Sequence, residues 1–190
     1  MTKKNGYLVA PKSVIRGSKD HEPCISKYHK NMINKIYEVS PGENVNLDKL
    51  DVKICKAKHT DPCTVGFRFV LPKGDVAYIS DTEYFEGIEN HYKGSRIVII
   101  SVLRPRNMPI RGHLCTDDAI RILEQIRPEF SIITAFGMRM IYADPSNEAR
   151  HIQEKSGVKT IAAYDCMHLK IDDKIKLMDR RPSLDGFLKE

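Results

Sequence analysis

Eight residues, Arg96-Ile-Val-Ile-Ile-Ser-Val-Leu103, leave this chain little choice of architecture. β-Branched side chains are stiff at χ1 and favour extended backbone, so the run reads as a strand. It lacks the polar alternation of a half-exposed strand, which places apolar neighbours on both of its faces. A strand of that kind sits inside a sheet with a layer on each side, and 190 residues suffice to bury such a core in one domain. With 41% hydrophobic and 29% charged residues, the composition is that of an ordered globular protein.

The remaining elements follow from pattern. Gly6-Tyr-Leu-Val-Ala10 reads as a short strand stopped by Pro11. Ile25, His29, Met32, Ile33 and Ile36 recur at helical spacing and predict a helix after Pro23. Strands follow over 45–47 and 52–57, after the Pro41-Gly42 turn. Residues 64–71 and 76–80 flank Pro72-Lys-Gly-Asp75 and form a hairpin by pattern. Thr116-Asp-Asp118 supplies the N-cap and first-turn acidic residues of a helix that carries Ala119, Ile122, Leu123 and Ile126 and is closed by Pro128. A strand over 131–134 and a helix over 147–156 come next, the latter closed by Gly157. Strands over 158–164 and 168–177 end the series, the second folding back at Asp172-Asp173. Hairpins first and alternating strands and helices later predict an α/β (α+β) layered sandwich.

Charge and cysteines bound the setting. The net charge is +6 with pI near 9.0, yet the 31 basic residues are scattered. The denser groups, Lys3-Lys4, Arg104-Pro-Arg106 and Arg180-Arg181, are short. A nucleic-acid footprint needs a stripe rather than a sum, so nucleic acid is only weakly supported as a partner. Five cysteines without a C-x-x-C pair point to free thiols in a reducing compartment. The first twelve residues hold too brief an apolar run for a signal peptide, and no stretch approaches the ~18 apolar residues of a membrane span. The expectation is a soluble cytoplasmic protein with no membrane partner.

Three polar side chains stand where loops leave apolar strands, the places where sites collect. His59 precedes the strand at Thr64, Asp81 follows Val76-Ala-Tyr-Ile-Ser80, and His113 sits ahead of the Thr116 helix. Imidazole and carboxylate are the donors that suit zinc, manganese or iron. Each also has an ordinary reading: a polar group at a sheet edge, an Asx-type turn, a residue before a helix. His21, Cys24 and His29 have loose ligand-like spacing but lie on or before an amphipathic segment, and read as part of its surface.

His59-Thr-Asp-Pro-Cys-Thr-Val-Gly-Phe-Arg-Phe69, Tyr78-Ile-Ser-Asp-Thr-Glu-Tyr-Phe85 and Gly112-His-Leu-Cys-Thr-Asp-Asp118 together resemble the metallo-β-lactamase superfamily. The likeness is closest to archaeal members and looser to the ribonuclease Z branch, and runs from about Gly6 to Ile171. It implies a metallo-β-lactamase-like αββα fold. It also implies that His59 is a ligand of one metal, that Asp81 bridges two, and that His113 donates a proton to the leaving group. The implied cofactor is zinc, one or two ions. The implied chemistry is hydrolysis of an ester or phosphodiester by metal-bound hydroxide, on a small-molecule or phosphodiester substrate.

The sequence departs from that pattern twice. The H-x-H-x-D-H motif, which supplies most ligands in the family, does not occur in it. Where the family usually reads T-H-F-G, this chain has Thr134-Ala-Phe-Gly137, so Ala135 stands at the final ligand histidine. Cys63 reads as a small buried thiol and Cys166 as a drifted position rather than substitute ligands. A catalytic ion takes about three protein donors plus water. The expectation is therefore an N-terminally truncated domain over 1–190 with weak activity or none on its own. The alternative is a degenerate, non-catalytic binding or assembly subunit that retains the scaffold. A missing strand layer would leave apolar surface open, which predicts a homo-oligomer or a partner that completes the fold.

Overall fold

The structure, a computed structural model, describes residues 4–19 and 22–179. Lys3, His21 and the Arg180-Arg181 pair lie outside the described residues. β1 (Lys4–Pro11) leads through α1 (Lys12–Arg16) and α2 (Lys27–Asn31) to β2 (Ile33–Val39). β1 and β2 pair in parallel, with Tyr7 opposite Lys35 and Val9 opposite Tyr37. The helix predicted through Ile36 is thus cut to its first turns. Ile33-Asn-Lys-Ile-Tyr-Glu-Val39 suits a strand as well as a helix, and two tertiary gains decide the matter. The segment satisfies its backbone on β1, and Val39 and Tyr37 pack against Val45, Val52 and Ile54.

The main sheet is built in sequence order. β3 (Asn44–Leu47), β4 (Leu50–Lys56), β5 (Val65–Val70) and β6 (Val76–Ile79) are joined antiparallel, as the hairpin pattern predicts. A 3-10 turn (Ile88–His91) precedes β7 (Ile97–Ser101), and α3 (Thr116–Ile126) leads to β8 (Phe130–Thr134). Then α4 (Met138–Tyr142) and α5 (Pro145–Ser156) lead to β9 (Thr160–Ala162). From β6 to β9 the pairing is parallel. β10 (Met167–Ile171) and β11 (Ile175–Asp179) form the separate final hairpin. The last strand of the main sheet, expected over 158–164, is shorter than its apolar run.

The two faces of the sheet are covered differently. On one, α3 and α5 bury Ala119, Ile122, Leu123, Ala149 and Ile152 against Ala77, Val98, Ile100 and Ile133. On the other, the register aligns Ile54, Phe67, Tyr78, Ile99, Ile132 and Ile161 in one row across six strands. The β1–β2 pair covers the β4–β5 end of that face, and the β10–β11 hairpin packs on Ile132, Ile99 and Ile161 at the other. Layers on both sides of β7 are what its unbroken β-branched run requires. No helix among the described residues is long and apolar enough to cross a membrane.

Arg96 fastens the hairpin. Its guanidinium donates to the carbonyls of Lys73 (2.7 Å), Asp172 (2.6 Å) and Asp173 (2.9 Å), and to the Glu129 carboxylate (2.6 Å). Gly74, at φ 105°, permits this, because a Cβ there would lie 2.6 Å from Arg96 Cδ. Arg96→Met is expected to lower Tm and to speed amide exchange in β10 and β11 before the main sheet responds. Hydrogen-exchange mass spectrometry reads this, and unchanged hairpin protection would mean that apolar packing alone holds the hairpin.

Candidate metal centre

β6, β7 and β8 run parallel, so their carboxyl ends share one edge, the edge at which open α/β sheets place their sites. β5 runs the other way and starts there, as the 2.7 Å bond from the Ser80 hydroxyl to the Val65 carbonyl shows. Three loops meet at this edge. The loop 57–64 carries His59, the residues after Ile79 carry Asp81, and the loop 102–115 carries His113.

Local hydrogen bonds fix each loop. Asp61 accepts from the Cys63 N–H (2.9 Å) and from the Ser13 hydroxyl (2.6 Å), which ties the His59 loop to α1. The buried Thr82 hydroxyl accepts from the Lys58 N–H at 2.8 Å. The Leu103 N–H donates to Leu114 O and the Thr116 N–H to Arg104 O, so the loop 102–115 doubles back on itself. At its end, Asp118 accepts from the Cys115 N–H, making Cys115 the residue that caps α3, one position ahead of the expected Thr116.

Glu148 pins that loop from α5. Its side chain is 3% exposed and accepts from the Arg106 N–H (3.0 Å), the Arg106 guanidinium (2.8 Å) and the Thr116 hydroxyl (2.6 Å). Burial pushes its pKa up, but these bonds outweigh it and hold the carboxyl below the usual range.

His59, Asp81 and His113 converge, with donor atoms all within 4.8 Å of one another. The two rings meet edge to face with centroids 4.8 Å apart, and His113 Nδ1 lies 3.9 Å from the Asp81 carboxylate, too far for a hydrogen bond. Both His59 Nε2 and His113 Nδ1 are buried without a hydrogen-bond partner. Buried polar atoms left in that state carry a cost that a ligand would remove. His59 Nδ1 lies 3.2 Å from Thr60 Oγ1 and accepts from the Asp61 N–H at 3.4 Å, so its own loop holds the ring by Nδ1 and leaves Nε2 without a protein partner. Burial lowers the His113 pKa; Asp81 opposes this, while His59 and Arg104 add to it, which favours the neutral imidazole that binds metals. Two nitrogens and a carboxylate, with Asp81 48% exposed, fit a divalent zinc-type ion with an open position.

Other expected positions fall elsewhere. Ala135 follows β8 at the same edge, exposed and in the left-handed region at φ 59°. Cys24 and Cys63 are unpaired thiols that line, with Ser13, Lys19 and Asp61, a cavity of about 660 Å³ beside the His59 loop. His29 bonds to Ser26 on α2 and Cys166 is exposed; neither joins a donor cluster among the described residues. Sequence reasoning missed Glu83, whose carboxylate accepts from Gly112 N–H (2.9 Å) and Lys58 Nζ (2.6 Å). No periodicity marks it, because its partners come from two other loops.

Comparison with known proteins bears on the family and the fold. The uncharacterized protein MJ1374 of Methanocaldococcus jannaschii is 34% identical over 165 residues, covering 86% of this chain and 61% of that protein. The metallo-β-lactamase fold protein YhfI of Bacillus subtilis superposes with a TM-score of 0.69 at 13% identity, over 93% of this chain and 65% of YhfI. Zn(2+)-bound PqqB of Methylobacterium extorquens gives 0.63 at 14% identity, over 86% of this chain and 64% of PqqB. The chain thus spans less than two thirds of the length of each. The profile of the beta-lactamase superfamily domain matches residues 1–135, most of the described chain. The chain belongs to the β-lactamase superfamily and has the metallo-β-lactamase fold.

Proposed function

We propose that the protein is a metal-dependent hydrolase of an ester or phosphodiester, with its ion held by His59, Asp81 and His113. The observation that carries this reading is the pair of buried, unpartnered imidazole nitrogens facing one carboxylate at the loop edge of the sheet. When bound, a zinc-type ion lowers the pKa of water and polarises the scissile bond. The chain's own residues supply the rest. Thr60 and the Asp61 N–H hold the His59 ring at Nδ1, the Asp61 carboxylate braces the loop, and a cavity lined by Thr60 and Asp61 lies beside that loop.

His113 has two roles to choose between. As a third ligand it would bind through Nδ1; as the proton donor implied by the family resemblance it would stay free of the metal. Titration of the metal-free protein with zinc by calorimetry separates them. Binding of one ion that is lost in both His59→Ala and His113→Ala makes His113 a ligand. Binding kept in His113→Ala, with turnover of an activated phosphodiester lost, makes it the donor. No zinc binding by the parent protein would end the proposal.

The second reading, a non-catalytic scaffold subunit, is favoured by Ala135 at the position of a family ligand. One bound zinc without turnover of ester or phosphodiester substrates would select it.

A further inference from the structure

Glu83 stands two residues past Asp81, and its polar contacts go to the neighbours of the other two donors. One carboxylate oxygen accepts from Gly112 N–H, the residue before His113, and the other from Nζ of Lys58, the residue before His59. The Glu83 N–H also donates to Lys58 O at 2.8 Å, while the Lys58 N–H returns to Thr82 Oγ1 at 2.8 Å. A single side chain therefore joins all three donor loops.

The joint sets a close approach. Gly112 has φ 81°, and a Cβ built on it would lie 3.4 Å from His59 Cδ2 and 3.7 Å from Thr60 N. The Gly112 backbone thus lies against the His59 ring, and the Glu83 carboxylate holds its N–H. The two arms differ in worth. Lys58 is 62% exposed, and an ion pair in that setting contributes little. The Gly112 arm is a charge-assisted bond to backbone from a side chain only 24% exposed.

We propose that Glu83 is a positioning residue which sets the spacing of His59, Asp81 and His113, and with it the metal affinity, without binding the ion. This rests on the metal-site reading above. The test is zinc affinity of the intact chain by calorimetry, together with proton NMR of the metal-free protein. Glu83→Leu is expected to weaken zinc on the order of tenfold or more, as loss of a group that orients ligands does. It should also abolish the nuclear Overhauser contact between the His59 ring and the Gly112 α-protons, in a protein that still unfolds cooperatively. Lys58→Met should keep both the contact and the affinity. Parent-like affinity in folded Glu83→Leu, with zinc lost in His59→Ala, overturns the positioning role and leaves the site standing. Parent-like affinity in His59→Ala overturns the site itself. If Glu83→Leu does not fold, Glu83→Gln decides: the Gly112 amide resonance should move upfield and zinc weaken with it. A shifted amide with unchanged affinity overturns the proposal.

Discussion

Ala135→His is expected to tighten zinc binding on the order of a hundredfold. Four-donor zinc sites bind with about 10–16 kcal/mol, roughly 3 kcal/mol per donor, or two powers of ten. Position 135 follows Thr134 at the carboxyl edge, where the Thr134 carbonyl accepts from the Val102 N–H at the root of the His113 loop. Its backbone is already in the left-handed region, which histidine adopts far more readily than most residues, so the change imposes no new backbone strain. Calorimetry on parent and variant reads the difference. Unchanged affinity would mean that the side chain at 135 points away from the donor cluster, and the family's final ligand would have no counterpart here.

The second large effect is expected at Glu148→Ala, with a loss of about 3 kcal/mol of stability, roughly 6–12 °C in Tm for a domain of this size. The change leaves the Thr116 hydroxyl without its buried acceptor and Arg106 without its counter-charge at the base of the loop 102–115. Urea or thermal unfolding measures it, and a loss below about 1 kcal/mol would show that the loop is held by its backbone bonds alone. The pH dependence has a definite sign. A carboxyl whose folded pKa is lowered stabilises the fold above its unfolded value, about 4.3, and this stability drains away as pH falls through the folded pKa. Glu148→Gln should therefore flatten that part of the acid limb of the stability curve.

How much of this was legible in the sequence depended on whether the signal was local. β7 was plain because burial on both faces writes itself into every residue of the strand. The β5–β6 hairpin was plain because Pro72-Lys-Gly-Asp75 carries its turn chemistry on its surface. Ile33 to Val39 was misread, since Ile33 and Ile36 fit a helical stripe and a strand equally well and only pairing with β1 separates the two. At the centre, His59, Asp81 and His113 stood out because each lies at a strand end and three such motifs occur in order. Their convergence is a property of the sheet: parallel β6 and β7 end, and antiparallel β5 begins, at one edge. Glu83 and Glu148 were invisible for the converse reason. Each works through contacts to other loops, and nothing in its own neighbourhood distinguishes it from a solvated carboxylate.

The row from Ile54 to Ile161 bears on how the protein reaches its native state. The seven main strands follow one another in sequence, so that sheet can zip together neighbour by neighbour. The β1–β2 pair and the β10–β11 hairpin share no strand ladder with it and join through side chains, by apolar packing and by bonds such as those of Arg96 to the Asp172 and Asp173 carbonyls. If that sheet forms ahead of its cover, an apolar ladder six strands wide meets water in the interval. Species of that sort collide and stick in proportion to their concentration. In that case recovery from denaturant depends on dilution before it depends on the stability of the finished fold.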